Sequence, residues 1–259
     1  MKGRLAQLVE HLVYTERVGG SSPSPPTNLR RWMQWLCPTR SGGVLLVVWA
    51  ALVLFGVAGA ARAEQASMTF RAVSLDSPDC GARCPEVVVA DGVIEGDTPE
   101  AFLRFAQQAS LSARLRSVIF LNSPGGNVVA SMQLGYAFRA LRSAAIVAGY
   151  ASEGSRSGPI SGQCLSACVY ALMGAARRVV PSSSRVGLHR MSIVQEGNGP
   201  DAGRRMLADP HLVALLARYA ASMGVDAALV WRAESLTPGV LHVLTRGEIA
   251  RWRLASPRL

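Results

Sequence analysis

The chain has 259 residues, 49% of them hydrophobic and 17% charged, with a formal net charge of +10, which is length enough for one ordinary core or two small ones. A charge of that size raises nucleic acid or an anionic membrane as partners. Yet lysine occurs once, at Lys2, and the arginines fall singly, with no basic stripe interleaved with aromatics, so nucleic-acid binding is set aside.

The excess charge is concentrated at the start: seven of the 27 basic residues precede Glu64, but only two of the 17 acidic ones. Residues 3–27, GRLAQLVEHLVYTERVGGSSPSPPT, show weak helical periodicity and a Ser/Pro tail, which reads as a disordered extension. A second reading comes from the genetic code. LAQLVE can be encoded by TTA GCT CAG TTG GTA GAG, which resembles the D-arm of a transfer RNA gene. GGSS, VYT and PPT fit its T-arm, a valine anticodon loop and an acceptor end. The expectation is that 1–32 is a spurious extension from a misassigned start, with no function to be read from it, His11 included.

From Met33 the sequence has the pattern of an export signal: one positive charge, an apolar run, and Ala61-Arg62-Ala63 at the cleavage positions. The rival is a membrane anchor, because the uncharged stretch 44–61 is about 18 residues, the lower limit for a spanning helix. Cys37 precedes the apolar run and so is not placed as a lipoprotein cysteine. The expected organisation is a signal peptide at 33–63 and one domain at 64–259. That domain is periplasmic or otherwise exported, or else held at the inner membrane by 44–61.

In chain order the domain alternates strand and helix signals. EVVVADGVI (86–94) reads as a strand, Thr98-Pro99-Glu100 as a helix start followed by an amphipathic run, and SVIFLN (117–122) as a buried parallel strand. The turn SPGGN leads into a helix through about Arg142, then a strand AAIVAGY. Residues 151–162, ASEGSRSGPISG, read as a flexible surface loop. CLSACVYALMGAA reads as a helix, RRVV and RVGLHR as short strands around a turn at Pro181–Ser184, and QEGNGPDAG as a loop. A long helix to about Met223 and a shorter one over 226–235 follow. Such alternation with crossovers predicts a single α/β domain with a mostly parallel sheet flanked by helices.

Without Cys37 the domain holds four cysteines, Cys80, Cys84, Cys164 and Cys168. An even number in an oxidising compartment makes them candidate disulfide cysteines, with three connectivities. Buried thiols or zinc remain open, and no metal is assigned. If 164–168 are helical, a bond between Cys164 and Cys168 is disfavoured by spacing.

Three stretches carry candidate chemistry. LNSPGGNV (121–128) places a diglycine turn between a buried strand and a helix, which serves either as a tight connection or to aim backbone N–H groups at developing negative charge. Ser166 opens an apolar helix after a Gly-rich loop; it is either a cap or a nucleophile whose next N–H, from Ala167, helps bind an oxyanion. It is not the G-x-S-x-G elbow, since Cys164 and Cys168 take the glycine positions. His189 ends RVGLHR; a serine nucleophile needs such a base within hydrogen-bond reach. The other histidines after residue 63 are His211 and His242, and no lysine follows Lys2, so a Ser–Lys dyad cannot be built.

Taken in order, these stretches resemble the Clp-type serine peptidases of the ClpP/crotonase superfamily. Gly162 to Cys168 is similar to that family's G-Q-A-A-S-M-G, Asn122 to Gly126 to its N-S-P-G-G, and PSSSRVGLH to its P-N-S-R-V-x-I-H. The similarity runs from about Glu86 to His189 and is greatest with exported ClpP-like proteins whose serine is flanked by cysteines. The resemblance implies that Ser166 attacks a carbonyl, that His189 takes its proton, and that N–H groups of Gly125 or Gly126 and of Ala167 form the oxyanion hole. The family's aspartate position falls at or beside Leu241, where there is no carboxylate; the third member is unknown, with Asp226 and Glu234 as candidate substitutes. The expected function is an exported, ATP-independent serine peptidase or hydrolase acting on peptides or unfolded polypeptides. No cofactor is implied, there is no P-loop, and a homo-oligomer is in keeping with the family. The alternatives are an inactive peptide-binding or scaffolding member, and a crotonase-type acyl-thioester enzyme.

Overall fold

A computed structural model describes residues 66–75, 84–109, 112–153, 156–194 and 205–256, all within the unit Gln65–Leu259. The expected leader, its anchor or signal segment, Cys80 and the loop 195–203 lie outside the described residues. No helix among the described residues is long and apolar enough to cross a membrane.

The architecture is mixed α/β, as the alternation predicts. The central sheet runs β1 (Thr69–Ser74), β2 (Glu86–Asp91), β3 (Leu115–Asn122), β4 (Ala144–Glu153), β5 (Arg156–Ser161), with β7 (Arg177–Val179) also on β4. The pairs β2–β3, β3–β4 and β4–β7 are parallel, whereas β1 and β5 join antiparallel. Strand β2 reads as a continuous apolar run because both of its faces are covered. Val87 and Val89 pack with Phe120 and Ala148 on one face. Val88 and Ala90 alternate to the other, which Phe70, opposite Ala90, shares. There Phe70 meets Phe102 of helix α1 (Thr98–Ala109) at 5.2 Å, and Phe102 meets Phe138 of α2 (Val128–Ala140) edge-on at 5.1 Å.

A second sheet, β11 (His242–Val243), β8 (Arg185–Leu188) and β6 (Gln163–Leu165), pairs β6 parallel and β11 antiparallel to β8. It is stitched to the end of β3 by the bridge Ser123–Cys164. All seven residues of α3 (Cys168–Gly174) are buried, as expected of a helix apolar all round. Its contact with α2 is made of backbone: a Cβ on Gly174 would lie 2.1 Å from the Gly135 carbonyl oxygen. The Tyr219 hydroxyl, from α4 (Pro210–Ser222), enters beside this crossing and donates to the Tyr170 carbonyl at 2.8 Å. The chain then forms α5 (Ala228–Glu234) and, past β11, α6 (Arg246–Arg251).

Two expectations are corrected. Residues 151–162 are not a loop: β4 continues to Glu153 and β5 returns along it, with Pro159 opposite Tyr150. Glycine, serine and proline hide the strand by propensity, but an edge position tolerates proline. The helix read from Cys164 begins only at Cys168, because Gln163–Leu165 belong to β6. The sequence reading also missed β1, the β9 (Ser192–Val194) and β10 (Arg205–Leu207) hairpin, β11 and α6; most are three residues or fewer, or lack a clear period.

Candidate active site

The diglycine turn connects β3 to α2 and is held on three sides. Asn122 donates to the Asp91 carboxylate at 3.0 Å and accepts the Gln163 N–H at 2.9 Å, tying β3 to β2 and β6. Fully buried Ser123 donates its N–H to the Gln163 carbonyl and accepts the Leu165 N–H. Asn127 caps α2 by accepting the Ala130 N–H at 2.9 Å. Gly125 and Gly126 lie at φ 108° and 136°, where a side chain is strained. A Cβ on Gly125 would stand 2.8 Å from Ser166 Cβ, and one on Gly126 2.1 Å from the Ile94 carbonyl oxygen. The turn thus abuts Ser166, and only glycine permits the approach.

The resemblance left Gly125 and Gly126 as alternatives, and their N–H groups differ in hydrogen bonding. The Gly125 N–H donates to Ser123 Oγ at 3.1 Å. The N–H groups of Gly126 and Ala167 have no acceptor among the described residues.

Ser166 follows β6 directly. Its N–H donates to the Gly187 carbonyl at 2.8 Å, and its φ is 55°, the left-handed region that a non-glycine residue enters at a cost. The bend makes a strand–turn–helix unit and explains the cysteines. Cys164 ends in a strand and Cys168 begins a helix, so their Cα atoms are 5.2 Å apart and the two are disulfide-bonded. The spacing objection assumed a helix through both, and that helix does not exist. Zinc and free-thiol readings fall with it for this pair. Cys84 is also disulfide-bonded, its partner lying outside the described residues.

His189, just past β8, brings Nε2 to 2.7 Å from Ser166 Oγ, while its Nδ1 is 2.7 Å from the Arg190 carbonyl oxygen. A carbonyl only accepts, so Nδ1 carries the proton and Nε2 of the neutral ring accepts from the serine hydroxyl. This is the tautomer a general base requires. The other histidines are elsewhere: His211 is exposed at the start of α4, and His242 bonds Glu248 at 2.8 Å. The Glu248 carboxyl is held at about 2, chiefly by the Thr245 N–H that it accepts.

Among the described residues no carboxylate bonds His189 Nδ1. The register His242–Leu188, extended one residue, sets Leu241 opposite His189, and Leu241 lies over Gly187 on the same face. That residue is an exposed leucine across the strand pair. Asp226 caps α5 through Ala228. Glu234 accepts the Met191 N–H at 3.1 Å. Burial holds its carboxyl above the ordinary range, opposed by that N–H, by Arg190 and by His189. Sequence reading missed the Arg190 carbonyl, which carries no residue-type signal, and the supporting bonds of Asn122 and Ser123, which were quoted only as motif letters.

No family model and no curated protein matches this chain. Among solved structures, a serine-to-alanine variant of the 1510-N membrane-bound stomatin-specific protease is similar at TM-score 0.46 and 18% identity, over 66% of this chain and 78% of that one. A lysine-to-alanine variant of the same protease, in complex with a substrate peptide, aligns at TM-score 0.46 and 19% identity over 66% and 74%. A ClpP1 variant from Listeria monocytogenes aligns at 0.41 and 15% over 65% and 88%.

Proposed function

We propose that this chain is an ATP-independent serine peptidase of the Clp type that acts on peptides or unfolded polypeptide outside the cytoplasm. The observation that carries the reading is the 2.7 Å contact between Ser166 Oγ and His189 Nε2 on a left-handed serine backbone. Ser166 Oγ attacks the substrate carbonyl carbon while its proton passes to His189 Nε2. The oxyanion is met by the N–H groups of Gly126 and Ala167. Collapse expels the amine, which takes the proton from His189, and a water activated at Nε2 then releases the acyl group. Lysine plays no part, since none follows Lys2.

The Arg190 carbonyl supplies the orientation and tautomer that a carboxylate would give, without its negative charge. That deficit favours a slow enzyme, and it is also what a non-catalytic peptide-binding member would show. Treating the full chain with a fluorophosphonate probe separates the two. Wild-type protein is expected to gain one adduct, mapped to Ser166 by mass spectrometry, with Ser166→Ala unlabelled and His189→Ala slowed by at least about 100-fold. A folded wild type that takes up no probe would overturn the peptidase in favour of the binding protein.

A further inference from the structure

The bond between Cys164 and Cys168 closes a ring of backbone that contains Ser166 and Ala167, the proposed nucleophile and one proposed oxyanion donor. Both cysteines are fully buried. Ser166 sits inside this ring at φ 55°, a conformation that persists only where the surroundings over-determine it. Hydrogen bonds fix the entry to the bend, with the Leu165 N–H on the Ser123 carbonyl and the Ser166 N–H on that of Gly187. The exit is held by the Val169 and Tyr170 N–H groups on the carbonyls of Ser166 and Ala167. The Ala167 N–H is left without an acceptor among the described residues, and the sulfur–sulfur bond is the covalent tie across it.

A bond spanning so few residues removes less freedom from the unfolded chain than one closing a long loop, since that gain grows with the length of loop closed. What the bond does constrain is the local backbone.

We propose that the Cys164–Cys168 disulfide is a positioning element of the catalytic serine. It holds Ser166 in the left-handed region so that Oγ stays on His189 and the Ala167 N–H stays beside it, and the nucleophile reacts at its full rate only when the bond is made. This rests on the serine-nucleophile reading above.

The test compares the full chain with Cys164→Ala, Cys168→Ala and the double variant, measuring the rate of fluorophosphonate modification of Ser166 and the kcat and KM of peptide hydrolysis. Any one substitution abolishes the bond, so all three variants are expected to lose about tenfold in modification rate and kcat to the same extent, with KM little changed. Wild-type rates in the variants, or unequal single effects that sum in the double as lost packing would, overturn the proposal. If a variant departs from the wild-type circular dichroism, wild-type protein is reduced with a water-soluble phosphine instead. The disulfide takes two electrons and two protons to give two thiols, and the phosphine takes the oxygen of water to become its oxide. Alkylation then maps the thiols, and Cys84→Ser controls for the other disulfide. A tenfold slower modification supports the proposal and an unchanged rate overturns it. Wild type that never reacts removes the nucleophile reading and this one together, whereas reactive wild type with equally reactive variants removes this one alone.

Discussion

Ser166 Oγ and His189 Nε2 meet at 2.7 Å, and backbone decides that geometry. The left-handed backbone of Ser166 is imposed by neighbours, among them Gly125, whose absent side chain leaves room for Ser166 Cβ. The acceptor for His189 Nδ1 is a carbonyl, which every residue possesses and no motif marks. Leu241 shows the reverse: the resemblance puts the gap in the motif at or beside it, and the strand register, extended one residue, sets Leu241 opposite His189. Leu241→Asp is therefore expected to raise kcat for peptide hydrolysis by about 10- to 100-fold with little change in KM, as measured with a fluorogenic peptide. Unchanged kcat in a folded variant would show that the Arg190 carbonyl already supplies everything the imidazole needs.

At the scale of elements, the strongly periodic segments were read well and the short ones were not. Strands β2, β3 and β4 and helices α1, α2 and α4 declared themselves by apolar runs, a proline start or amphipathic spacing. β6 was absorbed into the following helix because three residues cannot establish a period, and the bend at Ser166 has no glycine to announce it. β5 was obscured by its own turn-like composition. The glycines of α2 and α3 were seen only as helix residues, yet Gly174 sets how closely the two helices approach. Its added Cβ would strike backbone of Gly135, which cannot swing aside. Gly174→Ala is expected to cost about 3 kcal/mol or more, read as a lower midpoint in urea with unchanged slope. Because α3 follows directly from the nucleophile bend, the same variant should also slow modification of Ser166.

Over the whole molecule, the sheet, the buried helix and the C-terminal segment are joined through one side chain. Arg178, on β7, donates to the carbonyls of Met173 and Ala175 at the end of α3, of Met223 at the end of α4, and of Arg253 and Leu254 near the C-terminus. Arg139 shares the Met173 and Met223 acceptors. Burial, and then the charge of Arg139, push the Arg178 guanidinium below its ordinary range, though an arginine stays charged. Arg178→Met would leave those carbonyls short of donors at a cost of about 3 kcal/mol. That is a fall in Tm of about 6 to 12 °C for a domain of this size, to be checked by thermal unfolding.

Neither of these arginines pairs with a carboxylate among the described residues. A carbonyl oxygen takes up no proton in ordinary acid, so the bonds that Arg178 and Arg139 make have nothing to titrate as the pH falls. An acid-sensitive tie lies in Glu248 with Thr245 and His242. Glu248 stabilises the fold fully above its ordinary value of 4.5 and loses that contribution as the pH drops toward about 2. Acid should therefore release the start of α6, where Glu248 closes on Thr245, while the arginine–carbonyl bonds around Arg178 still hold.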